Sequence, residues 1–360
     1  MNKKVSFFDI VKSMESRRVL SSMATTATWI LTMIVWSNLK LIYLKYLASL
    51  FVWLGMIIFV VFFVFFLIRI IKYKSLLKKE ISHPVSSNFL AWIFISSAVL
   101  VAWIWNVLNP LNMCIYPEIT TKIFYIIALI VGSIVVILVP FMLTISENVD
   151  PKHAVWIWFL PPVGIFVLVF AWNFMTLHNI WWNWIPYLNI FYIWMAFMVY
   201  LLVNSMIYSR LKFYPLPAPE IAPSFVIWLA PVWVSIIAIN TFYSVIEKTN
   251  VFNFDLNTIK TLTSLFSAML AWYWLRWFIW TILILWFYFI KKSIPYSLSW
   301  WAFVFPLAAF WIWLNFVNLN LNCAFICSLT FIIWIITVFL WFFVFYKTIK
   351  DIVTLNAFNK

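Results

Sequence analysis

The chemistry open to this chain is bounded by where its few polar side chains fall. The ten acids, Asp9, Glu15, Glu80, Glu118, Glu147, Asp150, Glu220, Glu247, Asp255 and Asp351, all lie in tails, loops or at the edges of apolar stretches. Cation channels and many proton relays need carboxylates inside the membrane. Their absence favours anions and weakens a strongly proton-coupled mechanism, although Glu147 or Glu220 could still titrate at a mouth. The histidines His83, His153 and His178 are spread over three connections and do not form a metal set. Of the three cysteines, Cys323 and Cys327 are four apart, which suits neighbours on one helical face better than metal or disulfide chemistry. No motif calls for a cofactor.

A few side chains remain as candidates for handling a solute. Arg276, in the run WYWLRWFIW, is the one basic residue deep in an apolar span, and a charge near mid-bilayer is expensive enough to suggest function. The competing reading is a structural anchor, held by cation–π contacts with the tryptophans beside it. Thr25, Thr26 and Thr28 could offer hydroxyl donors to an anion, or could bond to their own helix backbone. His83 opens an apolar span and could line a cytoplasmic mouth or only shape the helix start.

The elements that must position these residues are membrane helices. Of 360 residues, 66% are hydrophobic and only 9% charged, against roughly 25% charged in an ordinary soluble domain. Lipid must cover most of that surface. Continuous apolar runs without period-two alternation exclude a strand barrel. Hydropathy predicts ten transmembrane helices, Ser22–Asn38, Tyr46–Ile70, Asn88–Leu108, Lys122–Leu143, Ala154–Met175, Pro186–Tyr208, Ala222–Tyr243, Leu262–Ile290, Ser297–Val317 and Leu321–Tyr346. With a cytoplasmic N-terminus, 18 of the 24 basic residues fall inside and five outside, with Arg276 within a span. Positive charge collects on the cytoplasmic side, so both termini are predicted to be cytoplasmic. The expected division is a tail over 1–20, a membrane domain over 21–346 and a tail over 347–360. The net charge of +14 is placed at the span ends, where it meets anionic lipid headgroups rather than nucleic acid.

The spans alternate in character. Those that begin near residues 22, 88, 154, 222 and 297 form a weak repeat of five helical hairpins, which suggests quasi-fivefold packing around an axis. Interior prolines fall in these odd spans: Pro161 and Pro162, Pro231, and Pro306. Proline removes a backbone donor and clashes with the preceding turn, so it is tolerated only where protein or a water-filled cavity takes up the freed groups. Even spans such as Phe59–Phe66 and Trp334–Phe345 are greasy and aromatic. The predicted arrangement is an all-α polytopic protein with odd helices around a central pore and even helices facing lipid or other subunits. The prolines either ease packing or shape the pore. They are not expected to bind solute, since the carbonyl each one frees, such as that of Ala302, repels anions.

Four segments, HPVSSNF at 83–89, FLPPVG at 159–164, PEIAPSFVIWLAPVWVS at 219–235 and SLSWWAFVFP at 297–306, resemble the tellurite-resistance/dicarboxylate transporter family. That family includes bacterial tellurite-resistance proteins, fungal malate permeases and sulfite exporters, and plant guard-cell slow anion channels. The resemblance covers nearly the whole chain. It implies a homotrimer in which each subunit has its own pore within five inner helices, occluded by a phenylalanine on the ninth. The matching position is Phe305, with Phe303 its nearest competitor and ordinary core packing the alternative. Rotation of an aromatic plug would open such a pore. Many relatives carry a glycine-bearing segment in the first span, where this chain has Met23-Ala24-Thr25-Thr26. Only Gly55, Gly132 and Gly164 are present in the whole sequence.

The expectation is a plasma-membrane protein that moves a small anionic solute (a C4-dicarboxylate such as malate, sulfite or an inorganic anion) as a channel or coupled carrier. The main alternative is a polytopic membrane enzyme acting on a lipid-linked substrate, which needs acids, histidines or a metal motif clustered at one face.

Overall fold

A computed structural model describes residues 43–109, 112–146, 149–180, 185–291, 294–307, 309–311 and 324–354. The predicted first span lies outside the described residues. The rest is helical, and no strand occurs among the described residues. The helices are α1 (Tyr43–Lys72), α2 (Lys74–Ile81), α3 (Ala91–Trp103), α4 (Pro117–Ile145), α5 (Leu160–Leu177), α6 (Ile185–Phe213), α7 (Ala230–Thr249), α8 (Leu256–Lys291), α9 (Trp301–Trp311) and α10 (Ala324–Val353). Eight helical stretches, built on α1, α3 to α8 and α10, are long and apolar enough to cross a membrane. Helix α1 falls on the second predicted span, α3 to α8 on the third to eighth and α10 on the tenth, while only part of the ninth, Ser297–Val317, lies among the described residues. The short α2, which hydropathy did not predict, is tied back by an ion pair between Glu80 and Arg69 at the end of α1.

The two sets of helices separate by burial. The most apolar windows of the stretches containing α3, α5 and α7 are 89%, 94% and 94% buried, against 28%, 22%, 17%, 22% and 28% for α1, α4, α6, α8 and α10. Thus α3, α5 and α7 form the interior and α1, α4, α6, α8 and α10 the outer wall, which separates odd from even predicted spans because α1 is the second of them. The inner helices pack in chain order, α3 on α5 and α5 on α7, and each also packs on the outer helix that follows it. Lipid offers an apolar side chain nothing less than another helix does, so close van der Waals fit must hold such a bundle. One seam between α7 and α8 illustrates this, where Trp233 meets Trp274 edge-on with ring centroids 4.3 Å apart.

Local chemistry fixes the helix ends. The last turns of α1, α6, α8 and α10 carry Arg69 and Lys72, Arg210 and Lys212, Lys291, and Lys350, which complement the negative ends of the helix dipoles. At the opposite ends of the hairpins the chain must reverse with almost no glycine. Asparagine does this instead, with left-handed φ of 51° at Asn112 after α3, 57° at Asn179 after α5 and 46° at Asn250 after α7. Asparagine tolerates that region because its short side chain can bond locally.

Candidate functional site

Each described inner helix starts through a tight 3₁₀ turn: Ser86–Leu90 before α3, Trp156–Phe159 before α5, Pro219–Leu229 before α7 and Leu298–Trp300 before α9. Sequence dictates this at two of them. Leu160 N–H donates to the Ile157 carbonyl and Ala230 N–H to the Ile227 carbonyl, three residues back, and proline follows in both cases. Pro161, Pro162 and Pro231 therefore sit in the first turn of an α-helix, where a missing N–H is tolerated. They are not the mid-helix breaks that hydropathy alone suggested. Pro306 does lie inside its helix, α9.

The turns are bonded to one another in sequence. The Pro84 carbonyl accepts from Trp158 Nε1 at 2.8 Å and Asn88 Nδ2 at 3.0 Å, joining the starts of α3 and α5. Trp156 packs on Phe225, joining α5 to α7. The Ser297 and Ser299 hydroxyls donate to the Glu220 carbonyl at 2.9 and 2.6 Å, joining α7 to α9. Just before α9, burial pushes the Tyr296 phenol up to about 12, so it stays neutral and packs its hydroxyl 2.7 Å from Thr348 Oγ1 on α10.

Between these turns lies a cavity of about 340 Å³. It has hydroxyls from Ser86, Ser224, Ser297 and Ser299, the side chains of His83 and Glu220, and an apolar remainder that includes Trp92, Ile157, Ile227 and Ala302. Four helix N-termini surround it, and their partial positive charge favours an anion. His83 lines the cavity, and its Nδ1 accepts from Val85 N–H at 3.2 Å and Ser86 N–H at 3.1 Å, holding the α3 turn. A neutral ring that accepts at Nδ1 carries its proton on Nε2.

A common register links cavity and prolines. Ile157, Ile227 and Ala302 each line the cavity, and each stands four residues before a proline, Pro161, Pro231 and Pro306. All three are buried. The residue immediately before each proline, Leu160, Ala230 or Phe305, is also buried and lies nearly one turn further along its helix. Of those three Phe305 is the largest. Phe303 faces elsewhere: it is half-buried and meets Trp300 edge-on at 5.5 Å, and Trp300 in turn packs on Phe343 of α10. On α3, Ser96 falls one turn below Trp92; its hydroxyl is buried and has no hydrogen-bond partner among the described residues.

Other predicted site residues are elsewhere. Arg276 is exposed on outer helix α8, over Trp277 at 5.0 Å, Trp280 at 5.8 Å and Tyr208 of α6 at 6.0 Å. This is the anchoring geometry, away from the cavity. Thr25 and Thr26 lie outside the described residues. Sequence reading missed the serines and the isoleucines that line the cavity. The signal for the isoleucines was present as a repeat, IWFLPP at 157–162 against IWLAPV at 227–232.

Among the described residues no cluster of three or more histidine, cysteine or acidic side chains could hold a metal. A family model described as voltage-dependent anion channel matches residues 19–349. The chain is also similar to two proteins of Methanocaldococcus jannaschii, each named as an uncharacterized transporter. One is 28% identical over 270 residues, 74% of each chain. The second is 28% identical over 280 residues, 75% of this chain and 76% of the relative. The match embraces every inner helix and the whole cavity lining, and it sets the protein among channels and transporters rather than enzymes. The chain is an integral, multi-pass membrane protein and belongs to the voltage-dependent anion channel family.

Proposed function

We propose that the protein conducts small anions along a path between α3, α5, α7 and α9, with the 340 Å³ cavity as its mouth and Phe305 as the occluding side chain. One observation carries this reading: the residues four before Pro161, Pro231 and Pro306 line the cavity, and on α9 the next residue along that face is Phe305. An aromatic ring there narrows the path and strips the water an anion needs, so the barrier is both steric and dielectric. Rotation of the ring removes it. Pro306, directly after, sets the local helix geometry that aims the ring, and Pro161, Pro162 and Pro231 fix the matching turns. His83 offers Nε2–H at the mouth. Thr25 and Thr26 supply hydroxyls from the first span.

The resemblance of the four motifs extends the reading to solute and assembly. It supports a C4-dicarboxylate such as malate, sulfite or a small inorganic anion as the cargo, a homotrimer with one path per subunit, and the plasma membrane as the location. The distribution of basic residues supports cytoplasmic termini and a mouth that opens to the cytoplasm. The test is anion flux in liposomes with purified protein. Wild-type protein should pass nitrate or chloride, and Phe305→Ala should pass them faster by about tenfold or more with assembly unchanged; a folded variant with unaltered flux would remove Phe305 from the path.

A further inference from the structure

One residue of the cavity lining, Glu220, carries a charge that an anion mouth does not need for attraction. It is exposed, and its side chain has no hydrogen bond or ion pair with any described residue. Its backbone is fixed. Pro219 opens the 3₁₀ turn, and the Glu220 carbonyl is held by both Ser297 and Ser299. An acid in the first turn of a helix is favourable for the helix itself, but that role does not require the wall of a cavity. The titratable partner facing it from another element is His83, on the connection before α3; the α5 and α9 walls contribute Ile157, Ser297, Ser299 and Ala302, none of them charged.

The geometry points to Glu220 as a valence filter, a specificity-determining residue that admits monoanions and disfavours dianions. This rests on the cavity being the mouth of the anion path. Both the repulsion from a fixed carboxylate and the attraction of the helix N-termini scale with the charge of the passing ion, so Glu220 offsets more of that attraction for a dianion than for a monoanion. Across several ångströms in a partly hydrated cavity, one additional negative charge on the solute corresponds to about a threefold to tenfold loss of flux. Glu220 therefore shifts the mouth toward nitrate, chloride or the singly ionised form of a weak diacid and away from a fully ionised divalent anion.

The test uses the full-length protein in liposomes with nitrate and sulfate, strong-acid anions whose charge does not change near neutral pH. The sulfate-to-nitrate flux ratio is measured in wild type and in the Phe305→Ala background. Glu220→Gln should raise the ratio about threefold to tenfold, while Glu220→Asp, which keeps the charge, should leave it low. If the glutamine variant fails to fold, the salt dependence of the unmutated ratio decides. That ratio should rise as ionic strength goes from about 0.02 M to about 0.5 M and the carboxylate is screened. A ratio insensitive to both substitution and salt, in protein that passes nitrate, overturns the filter alone. Absence of any anion flux in both backgrounds overturns the transport reading and the filter with it.

Discussion

The ring of Phe94 on α3 occupies the space that a side chain at Gly164 on α5 would need. A Cβ built on Gly164 would lie 2.2 Å from Phe94 Cε2 and Cζ and 2.9 Å from Ile95 Cγ1. The same ring faces Gly132 on α4, where a Cβ would meet Phe94 Cδ2 at 3.1 Å. Two of the three glycines in the chain thus serve one aromatic side chain, and they let three helices close around it.

From this contact Gly164→Ala is expected to destabilise the folded protein by about 1–3 kcal/mol, the usual range for overpacking a tight interior. The loss should appear as a lower melting temperature in detergent. Phe94→Ala introduced together with Gly164→Ala should recover part of it, because the clash is with that ring. Additive losses in the double variant would show that the clash is relieved elsewhere.

Flux should depend on the volume of residue 305. Phe305→Leu is expected to give a smaller increase than Phe305→Ala, and Phe305→Trp a decrease. Phe303→Ala should leave anion flux within about twofold of wild type, since Phe303 packs toward Trp300 at the α10 side. Equal effects at the two positions would argue against a single occluding ring.

Access to the cavity should be one-sided. Ser86 is half-buried in the lining, and Cys114 and Cys327 are free. With the native cysteines replaced by serine, Ser86→Cys should react with a bulky, membrane-impermeant thiol reagent from the cytoplasmic face only and lose most of its flux. Reaction from the opposite face would reverse the orientation drawn from the basic residues.

Ser96→Ala should lower anion flux severalfold without lowering stability. Its buried hydroxyl has no partner among the described residues, so no protein hydrogen bond is lost on removal. A fall in melting temperature with unchanged flux would make Ser96 a structural residue.

Acid should weaken the start of α8. The Thr258 hydroxyl and then the Thr258 backbone N–H hold the Asp255 carboxyl below the usual carboxylate range. A depressed folded value means the stabilisation is fully present above the unfolded pKa, about 4, and is lost as pH falls through the lower folded value. Asp255→Ala should therefore melt below wild type at neutral pH, and the two curves should converge in stronger acid. A gap that persists there would assign the effect to something other than the carboxylate.

Much of this protein could be read from sequence because the bilayer imposes local rules. Twenty apolar residues must form a helix wherever they occur, basic residues mark the span ends, and a proline is tolerated only where protein surrounds the helix. Those rules sorted α3, α5 and α7 to the interior and α1, α4, α6, α8 and α10 to the wall. They could not set how each helix is rotated about its axis. A buried helix that is apolar on every side carries no pattern to say which face meets which neighbour. Only packing decided that Phe305 is buried while Phe303 turns toward α10, that Arg276 is held among aromatic rings on the outside, and that Glu220 joins the cavity lining. Packing also moved Pro161 and Pro231 from supposed breaks to junctions of 3₁₀ and α geometry. Each of these outcomes depends on contacts between residues far apart in the chain, such as Trp158 with Pro84 or Ser297 with Glu220, which no local rule contains.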